Sequence, residues 1–249
     1  MTPPARTDAG VVFALPIEAG RFGDRVGEMA TFRTNDLTLH EGVIARRTVA
    51  WVVAGTGVER AARATRLLID GHRPRLVIAA GFAGGLVPGI DRGSLVTPGR
   101  VVRPGLEPLP LLSLRPGVEG QTATIVTVDR VVCATDEKRR LADDTRADVV
   151  DLETWGIAAA ARDAGLPCGC CKIVSDSVLD ELPAEVARLT EAPSRWRRVG
   201  AALRTIGRRP AAAADLWKLW ERAVIDSRSL ADALERAISA LPAAVDAGP

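Results

Sequence analysis

Histidine is scarce in this chain: there are two, His40 and His72, well separated in sequence. The four cysteines do not make up for it. Cys133 stands alone, and Cys168, Cys170 and Cys171 fall in PCGCCKIVSD, without the paired C-x-x-C of a zinc knuckle. No metal site is expected, and these cysteines read as small apolar residues of a buried strand. A long apolar run is missing as well. The stretch from Val11 to Ile17 is too short to span a bilayer and is broken by Pro16, and nothing near the N-terminus reads as a signal peptide, so a cytoplasmic location is expected. Net charge is nearly absent: 33 basic residues against 31 acidic ones leave +2, which gives no cue to a nucleic-acid partner. No cofactor is called for, and no internal repeat is visible.

What is present suits one α/β domain. A chain of 249 residues, 47% of them hydrophobic, can bury a core without disulfides. Apolar runs at 11–15, 47–55, 75–81, 94–102, 122–132, 148–152 and from Cys168 onward read as buried strands, with shorter strands around 30–33 and 37–44. Between them, Val58, Ala61, Thr65 and Leu68 fall at helical spacing and Gly71 offers a stop. Further helices are expected over 135–145 and about 153–164. Residues 2–9 are expected to lack fixed structure, 103–120 to form a Pro/Gly-rich surface loop, and Gly81–Gly85 to form a glycine-rich turn. Strands alternating with helices predict the α/β class: a mixed, largely parallel central sheet flanked by helices, with a helical C-terminal extension. The expected division is 10–182 for the catalytic domain and 183–249 for the extension packed on it. In the last helix Leu216, Leu219, Ala223, Ser227, Leu230, Leu234, Ile238 and Leu241 form a stripe suited to the core or to a second subunit.

Three segments set acids just after apolar strands: ALPIEAG with Glu18, VVDLETWG with Asp151 and Glu153, and IVSDSVLD with Asp176 and Asp180. In open α/β sheets the crevice at the carboxyl ends of the strands is the usual ligand site. Taken singly, each acid reads as a helix cap or a surface residue, and Glu153 could serve the first turn of its own helix. As a converging set they would have to be hydrogen-bonded, protonated or ligand-bound.

Together these segments resemble the nucleoside phosphorylase/nucleosidase superfamily, and especially its methylthioadenosine/S-adenosylhomocysteine nucleosidases. AGFAGGLVPGIDRGSLV is similar to that family's glycine-rich strand and turn. VVDLETWGIAAAARDAGLPCGCCKIVSD is similar to its acidic dipeptide, helix and strand ending in S-D, and FALPIEA to its first strand and acidic loop. The resemblance runs from about residue 11 to 180. It implies cleavage of the N-glycosidic bond of a purine (adenine) nucleoside whose ribose is substituted at the 5′ position. By resemblance, Asp176 protonates the leaving base, a role that needs a carboxyl kept protonated by burial or nearby negative charge. Glu153 receives the ribose hydroxyls and Glu18 activates water. Gly81, Phe82, Ala83, Gly84, Val131, Leu152 and Ser175 bind substrate, and Lys172 stands where the family often has an arginine near the nucleophile. The chain departs from the pattern in Leu152 for methionine, Phe82 for serine, and a large Trp155 for a smaller residue.

Water is the expected nucleophile. The first loop carries Glu18 and no G-D-P-x-R phosphate pattern, and Ala79 and Ala80 stand where hexameric phosphorylases place an arginine. Phosphorolysis and a nucleoside-binding homologue without catalysis remain alternatives. DELP and the arginine-rich RRVGAALRTIGRRPAAAADLW resemble the hopanoid-associated phosphorylase branch, which implies a lipid-linked adenosyl substrate (adenosylhopane-type). Between 184 and 225, nine basic residues face four acidic ones, beside Trp196, Trp217 and Trp220. That stretch reads either as a solvated basic face or as a peripheral contact with an anionic membrane. The resemblance implies a homo-oligomer, and a homodimer is the expectation.

Overall fold

A computed structural model describes residues 6–34, 36–114, 122–182 and 210–242, the stretch 210–220 as helical backbone. Among these residues eleven strands form one sheet: β1 (Ala9–Phe13), β2 (Gly27–Arg33), β3 (Thr38–Ile44), β4 (Arg47–Val53), β5 (Val77–Gly85), β6 (Leu95–Val96), β7 (Arg100–Val102), β8 (Leu109–Pro110), β9 (Thr124–Thr127), β10 (Val149–Asp151) and β11 (Cys168–Asp176). The helices among the described residues are α1 (Pro16–Gly23), α2 (Val58–His72), α3 (Thr135–Thr145), α4 (Thr154–Asp163) and α5 (Pro210–Ser239). The strand order is β2-β3-β4-β1-β5-β10-β9-β7-β8, with β11 also paired to β5. Strands β4, β1, β5 and β11 run parallel, as do β7, β9 and β10, whereas the hairpins at the edges and the β5–β10 pair are antiparallel.

The period of two along the inner strands splits the core into layers. Val12, Val77, Ala79, Cys168 and Cys170 face a cluster under α2 and α4, with Ala61, Leu68, Ile157 and Ala158. Val11, Phe13, Ile78, Ala80, Cys171 and Ile173 face the opposite cluster, with Phe22 of α1 and Leu230, Leu234 and Ile238 of α5. A strand buried on both sides needs apolar residues at every position, which is why these runs have no polar alternation. Helix α3 covers the far end, where Leu141 and Ala142 join Leu86, Val126 and Val150. Helices α2 and α4 approach closely at Gly156, where a Cβ would stand 2.4 Å from the Val58 carbonyl oxygen.

Helix α5 packs on α1 and β11. Ser227, Leu230, Leu234 and Ile238 of the stripe are buried there. Arg92 clamps the helix at buried Asp226, and Arg25 of the α1–β2 connection pairs with Asp232 and Glu235. The arginine-rich segment from 183 to 209, with Trp196, lies outside the described residues, as do the side chains of Trp217 and Trp220. No described helix is long and apolar enough to cross a membrane.

The structure corrects several expectations. Thr7 and Asp8 are not loose: Thr7 hydrogen-bonds the His72 carbonyl and Asp8 binds Thr48. The segment after β1 is a helix, α1, rather than a loop. The run 94–102 divides into β6 and β7 because Thr97-Pro98-Gly99 interrupts pairing. A short strand, β8, lies inside the expected 103–120 loop and pairs with β7. Strand β9 stops at Thr127. Finally, Gly81–Gly85 is no turn: β5 continues through it, bending at Gly81 (φ 145°), and reaches β10 with Gly84 and Gly85.

Candidate active site

A cavity of about 230 Å³ opens at the carboxyl ends of β1, β5, β10 and β11. Glu18, Glu153 and Asp176 all line it. So do Phe82, Ala83 and Gly84 from β5, Leu152 after β10, Val131 after β9, and Ser175 of β11. Gly81 and Lys172, cross-strand neighbours, do not line the cavity.

Glu18 owes its place to the start of α1. Pro16 occupies the first turn, where its missing N–H costs nothing, and Glu18 reaches back to the chain entering the helix. Its Oε2 accepts the N–H groups of Ala14 (2.9 Å) and Leu15 (2.7 Å), and its Oε1 accepts that of Phe82 (2.9 Å). A carboxylate offers about four lone-pair sites, so one remains for a ligand. Burial raises the pKa of Glu18, against the opposing pull of Lys172 and the three N–H donors. Gly81 makes room for this carboxylate, since a Cβ there would meet Glu18 Oε1 at 2.7 Å.

Glu153 stands at the N-cap of α4 but does not cap it. Asp151 does, accepting the Thr154 N–H at 3.0 Å and the Thr154 hydroxyl at 2.5 Å, with Thr127 Oγ1 donating at 2.7 Å. Glu153 is thereby left to face the cavity, its Oε1 accepting the Gly57 N–H at 2.8 Å. Burial, then repulsion from Asp151, pushes its pKa up to about 8. Lys172 lies 3.0 Å from Asp151 Oδ2, both side chains almost wholly buried. Burial opposes the charge on Lys172, but the surrounding acids, Asp151 first, outweigh it and raise its pKa.

Asp176 is aimed by a bulge. The β11–β5 register shifts between Val174 and Asp176, which turns the carboxylate toward the cavity. Ser175 Oγ donates to Asp176 Oδ1 at 2.6 Å, and Gly84 leaves space beside Oδ2, where a Cβ would stand 3.2 Å away. Of the two means expected to keep Asp176 protonated, burial or nearby negative charge, the structure gives burial, and the charged neighbour it supplies is an ammonium. Lys138 of α3, with a fully buried side chain, donates to Asp176 Oδ2 at 2.5 Å and to the carbonyls of Ser177 (2.7 Å) and Asp180 (2.9 Å).

Sequence reasoning missed Lys138, hidden within the charged run TDEKRR. The signal was its phase: Lys138, Leu141, Ala142 and Thr145 fall on one helical face, so the lysine occupies an inward position. Asp151 was noted as an acid but not as the partner of Lys172. Trp155, flagged for its size, packs against the core beneath Arg103 (5.6 Å to the ring). Among the described residues, no cluster of three His, Cys, Asp or Glu side chains could hold a metal ion.

Comparison with known proteins adds context to this geometry. A family profile described as the phosphorylase superfamily matches residues 8–109 and 113–206. A 5′-methylthioadenosine/S-adenosylhomocysteine nucleosidase of Pseudoalteromonas translucida is 32% identical over 89 residues, 36% of this chain and only 38% of that relative's length. Among solved structures, the 5′-methylthioadenosine/S-adenosylhomocysteine nucleosidase of S. pneumoniae with the transition-state inhibitor MT-ImmA superimposes with a TM-score of 0.74 at 18% identity. That match covers 94% of this chain and 99% of the other. A futalosine hydrolase mutant of Helicobacter pylori gives a TM-score of 0.71 at 14% identity, covering 94% and 98%. At such identities the likeness establishes the fold.

Proposed function

The chain belongs to the phosphorylase superfamily, and we propose that it hydrolyses the N-glycosidic bond of a purine nucleoside bearing a 5′-substituted ribose. The observation that carries this reading is the meeting of Glu18, Glu153 and Asp176, buried side chains from three separate segments, in one cavity. Breaking a C1′–N9 bond builds positive charge on the sugar and negative charge on the base, and a catalyst must favour both. Carboxylates at one end and a proton donor at the other meet that demand. Glu18 and Asp176 contact β5 at Gly81 and Gly84, three residues apart, or roughly 10 Å of strand.

In this reading Asp176 delivers a proton to the purine, Glu153 engages the ribose hydroxyls, and Glu18 takes a proton from the attacking water. A raised pKa makes ionised Glu18 a better base. The open lone-pair site on Glu18 suits a water molecule. Phe82, Val131 and Leu152 supply apolar walls for the nucleoside. Water is favoured over phosphate because a dianion needs several cations. Among the described lining residues Arg130 carries the positive charge, and it is paired with Glu137. The nucleosidase and futalosine hydrolase relatives support the same choice.

The test is base release from adenosine, methylthioadenosine, adenosylhomocysteine and futalosine, with and without phosphate, by wild type, Asp176→Asn and Glu18→Gln. Phosphate-independent release, reduced about 10²–10⁴-fold in Asp176→Asn, is the expected result. Release that requires phosphate would replace hydrolysis by phosphorolysis. Release from none of the four would refute the reading.

A further inference from the structure

The proposed chemistry asks Asp176 to give a proton, yet its carboxylate is held against an ammonium. We infer that Lys138 is the residue that supplies that proton, so that the leaving-group acid is the Lys138–Asp176 pair rather than Asp176 alone; the inference rests on the glycosidic reading above.

The geometry supports this in three ways. Lys138 is completely enclosed, and its three N–H bonds are all directed: one to Asp176 Oδ2 and two to the carbonyls of Ser177 and Asp180. A buried lysine used only to fill space would leave a costly charge, so its burial is sustained by these acceptors. The pair also stands behind the cavity: Asp176 lines it and Lys138 does not. Lys138 therefore acts through Asp176 and is a positioning residue, without contact with substrate. Finally, the second carboxylate oxygen is occupied by Ser175, which fixes the plane of the group between lysine and cavity.

The proton account closes. The starting point is the ion pair, ammonium against carboxylate. As the glycosidic bond breaks, its electron pair stays with the purine. Nζ gives a proton to the carboxylate, and the carboxyl group so formed gives one to the base, so the net transfer is one proton from Lys138. The neutral amine is reprotonated from solvent after the base leaves. Other groups set the local field. From the β9–α3 side these are Cys133, which feels Glu137, Arg130 and both members of the pair, and the Arg130–Glu137 ion pair itself. From the other side Asp180, anchored on Ser177, feels Lys138 and Arg222 of α5. On the sheet side, Gly84 of β5 lies beside Asp176 Oδ2 with Val150 of β10 next to it, and Asp151 at the end of β10 and Glu153 line the same cavity.

The test is the pH dependence of adenine release by the full chain in wild type, Lys138→Gln and Lys138→Met. A lone buried carboxyl can still donate while it is protonated, but it stops once it ionises, whereas the lysine pair keeps its proton to higher pH. The variants should therefore approach the wild type on the acid side and fall away on the alkaline side, by about tenfold per pH unit once the carboxyl has ionised. Lys138→Gln retains N–H donors for the same acceptors, so it reports on the proton even if Lys138→Met fails to fold. A wild-type-to-variant ratio that stays constant with pH would make Lys138 merely structural and overturn the inference while leaving the glycosidic reading intact. No base release by the wild type from any nucleoside would overturn both.

Discussion

The substitution Glu153→Gln should make the protein more stable near pH 8 while removing its activity. Glu153 holds its proton to about pH 8, against an ordinary value of 4.5, because it is buried beside Asp151. Between those two values the unfolded chain has released the proton and the folded chain keeps it. Folding then takes up a proton, and stability falls as pH rises through that window. Below 4.5 both states are protonated and the contribution is complete; above about 8 both are ionised and the loss is complete. At about 1.4 kcal/mol per pH unit, the complete loss is on the order of 5 kcal/mol. Glu18, also raised by burial, adds to it with the same sign. Glutamine keeps an acceptor for the Gly57 N–H and removes the titration. Urea unfolding at intervals from pH 5 to 8 measures the effect. Wild type and variant should agree near pH 5 and separate toward pH 8, the variant being the more stable by about 2–4 kcal/mol, at unchanged m-value. Parallel stability curves would show that Glu153 is not held protonated and would refute the reasoning.

Two other substitutions probe the framework of the site. Gly81→Ala puts a Cβ at 2.7 Å from Glu18 Oε1 on a backbone with φ of 145°, so it should cost about 1–3 kcal/mol in thermal unfolding and reduce base release by displacing Glu18. Leu234→Ala empties a fully buried position between α5 and the sheet, and should cost about 2–5 kcal/mol in urea unfolding while leaving the cavity residues in place.

Much of the fold was legible because the buried parallel strands are written as apolar runs, VVFAL and RLVIAAG among them, and the helices as spaced small residues. What the sequence concealed is physically specific. Helix α1 is eight residues long, opens on proline and contains two glycines, so no periodicity announces it; Glu18 and the packing of Phe22 hold it in place. The run from Gly81 to Gly85 looked like a turn because glycine disfavours strands, yet here two carboxylates approach the backbone where a Cβ would stand. In the site, the acids were visible from their positions after strands. Their cations were not. Lys172 was expected beside the nucleophile, but its Asp151 partner depends on how β10 and β11 flank β5. Lys138 sits within a solvent-like charge run and is buried only because α3 turns that one face onto the β11 bulge.

The placement of the two lysines gives the cavity a direction. Lys172 is shared by Asp151, Glu153 and Glu18, so that end carries more negative than positive charge and must hold protons or attract a cation. Lys138 answers one carboxylate and two carbonyls, so that end is balanced and has protons to give. A field running from an electron-rich end to a proton-bearing end opposes an uncharged nucleoside little, but favours one whose sugar is becoming positive and whose base is becoming negative. On the proposed reading, selectivity for the transition state follows from unequal neutralisation of the acids, and exchanging either lysine for a neutral residue alters that gradient at opposite ends.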